Sequence, residues 1–299
     1  MATPPDSQNP WTPGASQWAV EHAQDLTLFR PSGPPGRAEV VLLTDPWSVW
    51  CWGFEPVRRA LEHRYPTIQF SALVGGMFPT MPDPAALGFN VERFFAIVQR
   101  STGMPIAYDA TRYDRPTSTY PACIHYYTMR LVRPELADSY LRRLREAVYL
   151  DRRNVSRPQV AADVAVAMGV PREEFEEALA SGEPEREFEA NLTRLESNNL
   201  HAYPTFLVRS GPRLARVEGF QSLPALLSLV EQVTGRAHAT APPPPLLDLF
   251  RDGERLATRE VAEVLDLSLE AAAEELQGAA RDGSLTRERH PTGDVWRKA

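Results

Sequence analysis

Two cysteines in 299 residues, Cys51 and Cys123, are too few for a disulfide scaffold and are not spaced as a metal site, so no metal is expected. Lysine is nearly missing: Lys298 is the only one, and arginine carries almost all the positive charge. No apolar run approaches the roughly 20 residues of a membrane span. The opening Met-Ala-Thr-Pro-Pro-Asp lacks the basic and apolar stretches of a signal peptide. These absences lead to the expectation of a cytoplasmic protein with no membrane partner. Nor is there an excess of positive charge. The net charge of −7 is the wrong sign for a general nucleic-acid binder, which carries a basic stripe. What the chain does have is apolar mass: 43% of it is hydrophobic, enough for one large core and a smaller one.

Composition divides the chain into four parts. Residues 1–36 hold seven prolines among small polar residues, with Trp11, Trp18 and Phe29 between them, and read as a Pro-rich arm. Residues 37–235 carry regular patterns. Glu39–Asp45 is a buried-strand run, Cys51–Tyr65 a helix, and Thr67–Val74 a second strand, a spacing that demands a parallel crossover. Helical periodicity fills roughly 134–198, inside an insertion at about 77–200. Gly169 and Gly182 stand at helix ends, with Pro171 and Pro184 just inside the next helices. Strand patterns return at Pro204–Val208 and Leu214–Val217, before a helix at Leu223–Val233. The order predicts an α/β thioredoxin fold with an all-α insertion. Residues 236–245 read as a Pro-rich linker. Residues 246–299 show three short helical patterns and a hairpin, the outline of a small winged-helix-like domain.

Asp45-Pro-Trp-Ser-Val-Trp-Cys-Trp-Gly-Phe-Glu-Pro56 lies at the first strand-to-helix junction. There a helix N-terminus lowers the pKa of an attacking thiol in Cys-x-x-Cys proteins. The segment resembles the Asp-Pro-x-Cys-x-Trp-Cys-Trp-Gly-Phe motif of FrnE-like proteins of the DsbA family. On that motif Ser48 takes the attacking cysteine's place and Cys51 the second cysteine's. Tyr203-Pro-Thr-Phe206 matches the family's cis-proline loop, where the residue before proline offers main-chain groups to an extended peptide or glutathione. Tyr108-Asp109, Thr119-Tyr-Pro-Ala-Cys123 and Leu141-Arg-Arg-Leu-Arg-Glu-Ala147 also resemble the family's insertion.

A serine hydroxyl cannot attack a disulfide sulfur, so dithiol cycling is not expected. Ser48 then has three readings. It caps a helix in a retained scaffold; it marks an adaptor, since the chain resembles the YjbH/SpxH-type ClpXP adaptors; or it acts on a bound thiolate, as in the kappa-class glutathione transferases and related isomerases. A weak single-thiol redox role for Cys51 is a further alternative. The resemblance implies Ser48 and Cys51 as the catalytic positions. Trp47, Trp50, Trp52, Tyr203 and Pro204 are the candidate partner-binding residues, the three tryptophans as an aromatic surface with at least one in the core. No cofactor is expected, glutathione being the one small molecule the kappa likeness brings in. Cys123, His125 and His201 are secondary candidates with no telling partner spacing. The C-terminal part has eight basic and twelve acidic residues, and its third helix carries Glu270, Glu274 and Glu275. That balance points away from DNA and toward a protein partner, a thiol-regulated transcription factor or a ClpXP-type protease. The proline linker suggests that the partner is held between the two domains.

Overall fold

The computed structural model describes residues 19–22, 38–86, 88–251 and 253–299. Its first strand, β1 (Ala19–His22), comes from the N-terminal arm. Trp11, Trp18 and Phe29 lie outside the described residues. β2 (Ala38–Thr44) is apolar and almost wholly buried because strands flank it on both sides. The expected single helix is two: α1 (Val49–Gly53) and α2 (Glu55–Arg64). Pro56, at the start of α2, has no N–H to continue α1 and clashes with the carbonyl four residues back, so the helix breaks at Phe54. Gly53 is required on packing grounds, since a Cβ there would lie 2.5 Å from the Thr102 methyl. β3 (Ile68–Val74) returns parallel to β2, from Ala38 opposite Ile68 to Thr44 opposite Val74.

The insertion lies within the expected span of about 77–200, but its helices begin before the periodic stretch at 134–198. α3 (Val91–Thr102) and α4 (Tyr120–Val132) precede α5 (Ala137–Tyr149), α6 (Pro158–Ala167), α7 (Arg172–Ala180) and α8 (Glu183–Ser197). α4 escapes periodicity because apolar and aromatic residues surround it, as befits a buried helix. The glycine breaks fall where expected: Gly169 (φ +85°) follows α6 and Gly182 (φ +70°) separates α7 from α8. β4 (Thr205–Ser210) and β5 (Arg213–Glu218) form a hairpin, and α9 (Leu223–Thr234) packs on it. The sheet order is β1-β5-β4-β2-β3, with β4 antiparallel to β2 and β1 antiparallel to β5. Among the described residues no helix is long and apolar enough to cross a membrane.

Beyond α9 the chain forms β6 (Leu256–Ala257), α10 (Thr258–Leu265), α11 (Leu269–Arg281), β7 (Leu285–His290) and β8 (Gly293–Lys298). Their small sheet has the order β6-β8-β7. The first expected helix is only a 3-10 turn, Leu246–Leu249, after which Leu249 and Phe250 enter the core. The expected linker is no free spacer. The His238 ring lies 3.1 Å from the Thr67 hydroxyl and 3.2 Å from that of Thr234, and the Ala241 N–H donates to the Arg64 carbonyl at 2.7 Å.

Nor are the two expected domains separated. Val57, Ala60 and Leu61 of α2 share one core with Phe250, Val261, Val264 and Trp296. Glu260, fully buried on α10, joins the parts by charge. Its Oε1 accepts from Arg59 Nε and Arg142 Nη1, both at 2.8 Å; its Oε2 accepts from Arg142 Nη2 at 2.9 Å and the Ala257 N–H at 2.8 Å. Arg59 also pairs with Glu254, and Arg255 with Asp151 at 2.7 Å. Burial alone would raise the Glu55 carboxyl pKa, but the cations of Arg58, Arg142, Arg145 and Arg59 outweigh it and hold Glu55 far below the usual range. A partner clamped between two separate domains is therefore overturned: the facing surfaces are already buried against each other.

Candidate functional site

The carboxyl end of β2 runs into the turn that starts α1. Ser48 is the N-cap of that helix: its Oγ accepts from the Cys51 N–H at 3.3 Å, and its own N–H donates to the Asp45 carbonyl at 3.1 Å. It is 3% exposed, and Cys51 is wholly buried. The Cys51 thiol lies among Ser48, Thr44 and Arg145. Burial pushes its pKa up, against the Arg145 cation and the neighbouring hydroxyls. Arg145 is held behind the site by Glu55, 2.6 Å away, and by the Thr44 hydroxyl.

Sequence reasoning did not single out Asp45, yet it ties the turn together. Its Oδ1 accepts from the Trp47 N–H at 2.7 Å, and its Oδ2 from the Met77 N–H at 2.8 Å. Burial pushes its carboxyl up to about 6, although main-chain and Thr119 hydrogen bonds oppose the rise. The Cys123 thiol lies 3.6 Å from Oδ2 and donates to the Gly75 carbonyl at 3.0 Å. Burial, with the Asp45 charge, holds that thiol well above its ordinary pKa. Asp45 was legible as part of the motif. Its role depends on Met77 and Cys123, which only the fold brings to it.

The tryptophans do not form the expected surface. Trp47 is buried, its Nε1 donating to Ser156 Oγ at 3.0 Å. Trp52 is fully buried, its Nε1 bonded to the Pro105 carbonyl at 2.9 Å and the Arg142 guanidinium 4.4 Å from its ring. The insertion supplies these partners, so the insertion decides the burial. Trp50 alone of the three stays half-exposed. Its ring lies 6.4 Å from Phe94 of α3 and 5.9 Å from Phe220. Phe89 extends this wall, 5.2 Å from Phe94. No local signal marks Phe89, Phe94 or Phe220 in the sequence.

The Tyr203–Pro204 peptide is cis. Register places Thr205 opposite Leu43, so Tyr203 and Pro204 lie beside the end of β2. The Gly219 N–H donates to the Pro204 carbonyl at 2.8 Å, which seats Phe220 next to the loop. The Tyr203 ring folds back across β3, and its hydroxyl donates to the Gly76 carbonyl at 3.2 Å. His125 is 2% exposed, its Nδ1 3.0 Å from the Val155 carbonyl, and burial lowers its pKa to about 4. It is a neutral structural histidine at ordinary pH. His201 is exposed. Among the described residues no cluster of His, Cys, Asp and Glu is arranged to hold a metal ion. With both sulfurs buried and the Ser48 oxygen engaged as a cap, no nucleophile of this turn faces solvent. What does is one tryptophan, its phenylalanine neighbours and the Tyr203 loop.

The family model for thioredoxin matches residues 42–223. This chain belongs to the thioredoxin family. Within the family, the "ClpXP adapter protein SpxH" of Halalkalibacterium halodurans is 23% identical over 269 residues, 87% of this chain and 88% of the relative. The protein of that name from Shouchella clausii is 25% identical over 265 residues, again 87% and 88%. Among solved structures, the cytosolic disulfide reductase DsbM of Pseudomonas aeruginosa superposes with a TM-score of 0.51 at 23% identity, covering 66% of this thioredoxin-family chain and 95% of its own. The probable DsbA oxidoreductase of Streptomyces coelicolor gives a TM-score of 0.54 at 15% identity, covering 69% and 100%. The fold is DsbA-like.

Proposed function

We propose that this protein is a cytoplasmic adaptor that binds a protein substrate and presents it to a ClpXP-type protease. One observation carries the reading: the adapter relatives match 87% of the chain, a span that must include part of the C-terminal unit, whereas the two oxidoreductase structures compared above cover 66% and 69% of it. The buried Ser48 turn supports it, because recognition there needs no thiolate and leaves no mixed disulfide. The half-exposed Trp50–Phe94–Phe220 wall supplies aromatic anchors, and the acidic α11 suits a basic patch on the partner. The substrate class proposed is a thiol-regulated transcription factor. No cofactor is needed.

The test uses purified full-length chain with the ClpX and ClpP of its own organism and such a substrate. Addition of the chain should accelerate degradation, and Trp50→Ala should weaken the acceleration. Absence of binding to ClpX and to every such substrate, together with turnover of a small thiol compound, would overturn the reading. Glutathione separates adaptor from transferase. The adaptor reading expects no rise in Tm at millimolar glutathione, whereas a saturable rise lost in Ser48→Ala would replace it with thiol chemistry.

A further inference from the structure

The Trp50 wall stands at the end of the sheet toward which the chain before β1 points. β1 pairs antiparallel with β5, Ala19 opposite Arg216 and His22 opposite Arg213. Moving back from Ala19 is therefore moving forward along β5, toward Glu218 and then Phe220 of the wall. Phe220 lies four residues past Arg216, about 13 Å at a strand's rise of about 3.3 Å per residue. Residues 1–18 lie outside the described residues, but their sequence holds Asn9-Pro-Trp-Thr-Pro13, a Pro-x-x-Pro segment with Trp11 eight residues before Ala19. Eight residues reach at most about 27 Å, twice the distance to be covered. The wall itself is a row of part-exposed rings. Trp50 has Phe220 at 5.9 Å on one side and Phe94 at 6.4 Å on the other, with Phe89 a further 5.2 Å from Phe94. Ile97, one turn along α3 from Phe94, is 38% exposed and continues the apolar strip.

We propose that residues 9–13 of this chain cover the Trp50 wall, Pro10 and Pro13 seated to either side of the Trp50 ring, as a built-in competitor for the site. Rows of aromatic rings take Pro-x-x-Pro segments, whose polyproline helix is ordered before it binds. That helix turns once in three residues at about 3.1 Å each, so Pro10 and Pro13 fall on one side of it, about 9 Å apart. Trp11 adds a ring that can pack edge-on against Phe94 or Phe220. The direction of β1 and the length of chain before it choose this segment over others. The second proline run, Pro242–Pro245, is drawn away from the wall, since it follows Ala241, whose N–H is bonded to the Arg64 carbonyl at 2.7 Å. A segment tethered this closely meets the wall at an effective concentration of roughly millimolar, which a free partner must exceed or displace.

The contact is read by paramagnetic broadening in the full chain, with no partner present. Cys51 and Cys123 are buried, so a nitroxide maleimide added to Gln8→Cys labels that position alone. The Trp50 indole and the Phe94 and Phe220 amides should broaden. Pro10→Ser combined with Trp11→Ser should reduce that broadening at least about threefold, since proximity then rests on the tether alone. Equal broadening in both backgrounds, or broadening centred on another face, overturns the proposal. So does broadening of an isotope-labelled chain by a spin-labelled second copy, which would make the contact intermolecular. Competition with a substrate, unlike the contact, rests on the adaptor reading. There the same double substitution should tighten binding of the substrate used in the degradation assay at least about threefold, because a covered site loses apparent affinity in proportion to its covered fraction. Broadening with unchanged substrate affinity keeps the contact and removes the wall from the adaptor reading.

Discussion

Around Ser48 three buried polar groups bind main chain: the hydroxyl caps α1, Asp45 gathers two N–H groups, and Cys123 reaches a carbonyl. A few residues further on, Arg58 and Arg59 of α2 enter a buried ion network that reaches the C-terminal unit through Glu254 and Glu260. The contrast teaches where this member of the family concentrates its buried charge. The turn at which the resembled motif has its attacking cysteine holds a buried serine cap here, and the densest buried charge sits at the seam.

The sharpest way to break that comparison is at the seam. Glu260→Gln leaves Arg59 and Arg142 without a full counter-charge in the core and should cost about 3–5 kcal/mol, read as a lower denaturation midpoint for the whole chain. A loss below about 1 kcal/mol would return the weight to the Ser48 end.

Next in size are the two buried titrating groups. Asp45, raised to about 6, favours its protonated form in the fold, so its stabilisation is greatest below its ordinary pKa and is lost as pH rises through about 6. His125, lowered to about 4, acts the other way: its stabilisation is full above its ordinary pKa and is lost as pH falls through about 4. Between pH 7 and 5 each should contribute on the order of 1–2 kcal/mol, with opposite sign. Stability in urea should therefore stay nearly level in the wild type, fall with acid in Asp45→Asn and rise with acid in His125→Gln.

Smaller effects belong to the cap. Ser48→Ala should cost about 1 kcal/mol, the loss of one N-cap hydrogen bond. Ser48→Cys restores Cys-x-x-Cys and should gain partial insulin reduction with dithiothreitol, from an inactive wild type. Robust wild-type turnover would contradict this reading of the serine cap. Trp50→Ala should change stability least, by roughly 1 kcal/mol or less, since its ring is half-exposed, and should show instead as weaker partner binding.

The strand–helix–strand unit, the serine cap and the Tyr203-Pro204 loop were legible in the sequence because each is encoded by adjacent residues. The split at Phe54 was signalled by Pro56 but lay inside an unbroken apolar pattern. The fate of the tryptophans was not legible. Trp47 depends on Ser156 and Trp52 on Pro105, partners that only the folded insertion delivers. The seam was least legible of all. Thr258-Arg-Glu-Val261 reads as the start of an ordinary surface helix, and nothing near Glu260 in sequence announces two arginines from α2 and α5.

The one-residue joint at Phe54 has a mechanical meaning. α2 is fastened along its length to the C-terminal unit, while α1 carries Ser48 and Trp50 on five residues beyond the break. A shift of α2 against the C-terminal unit would therefore bear on the short helix that carries Trp50. If binding at the C-terminal unit changes affinity at the Trp50 wall, thermodynamic reciprocity requires binding at the wall to change affinity at the C-terminal unit by the same factor.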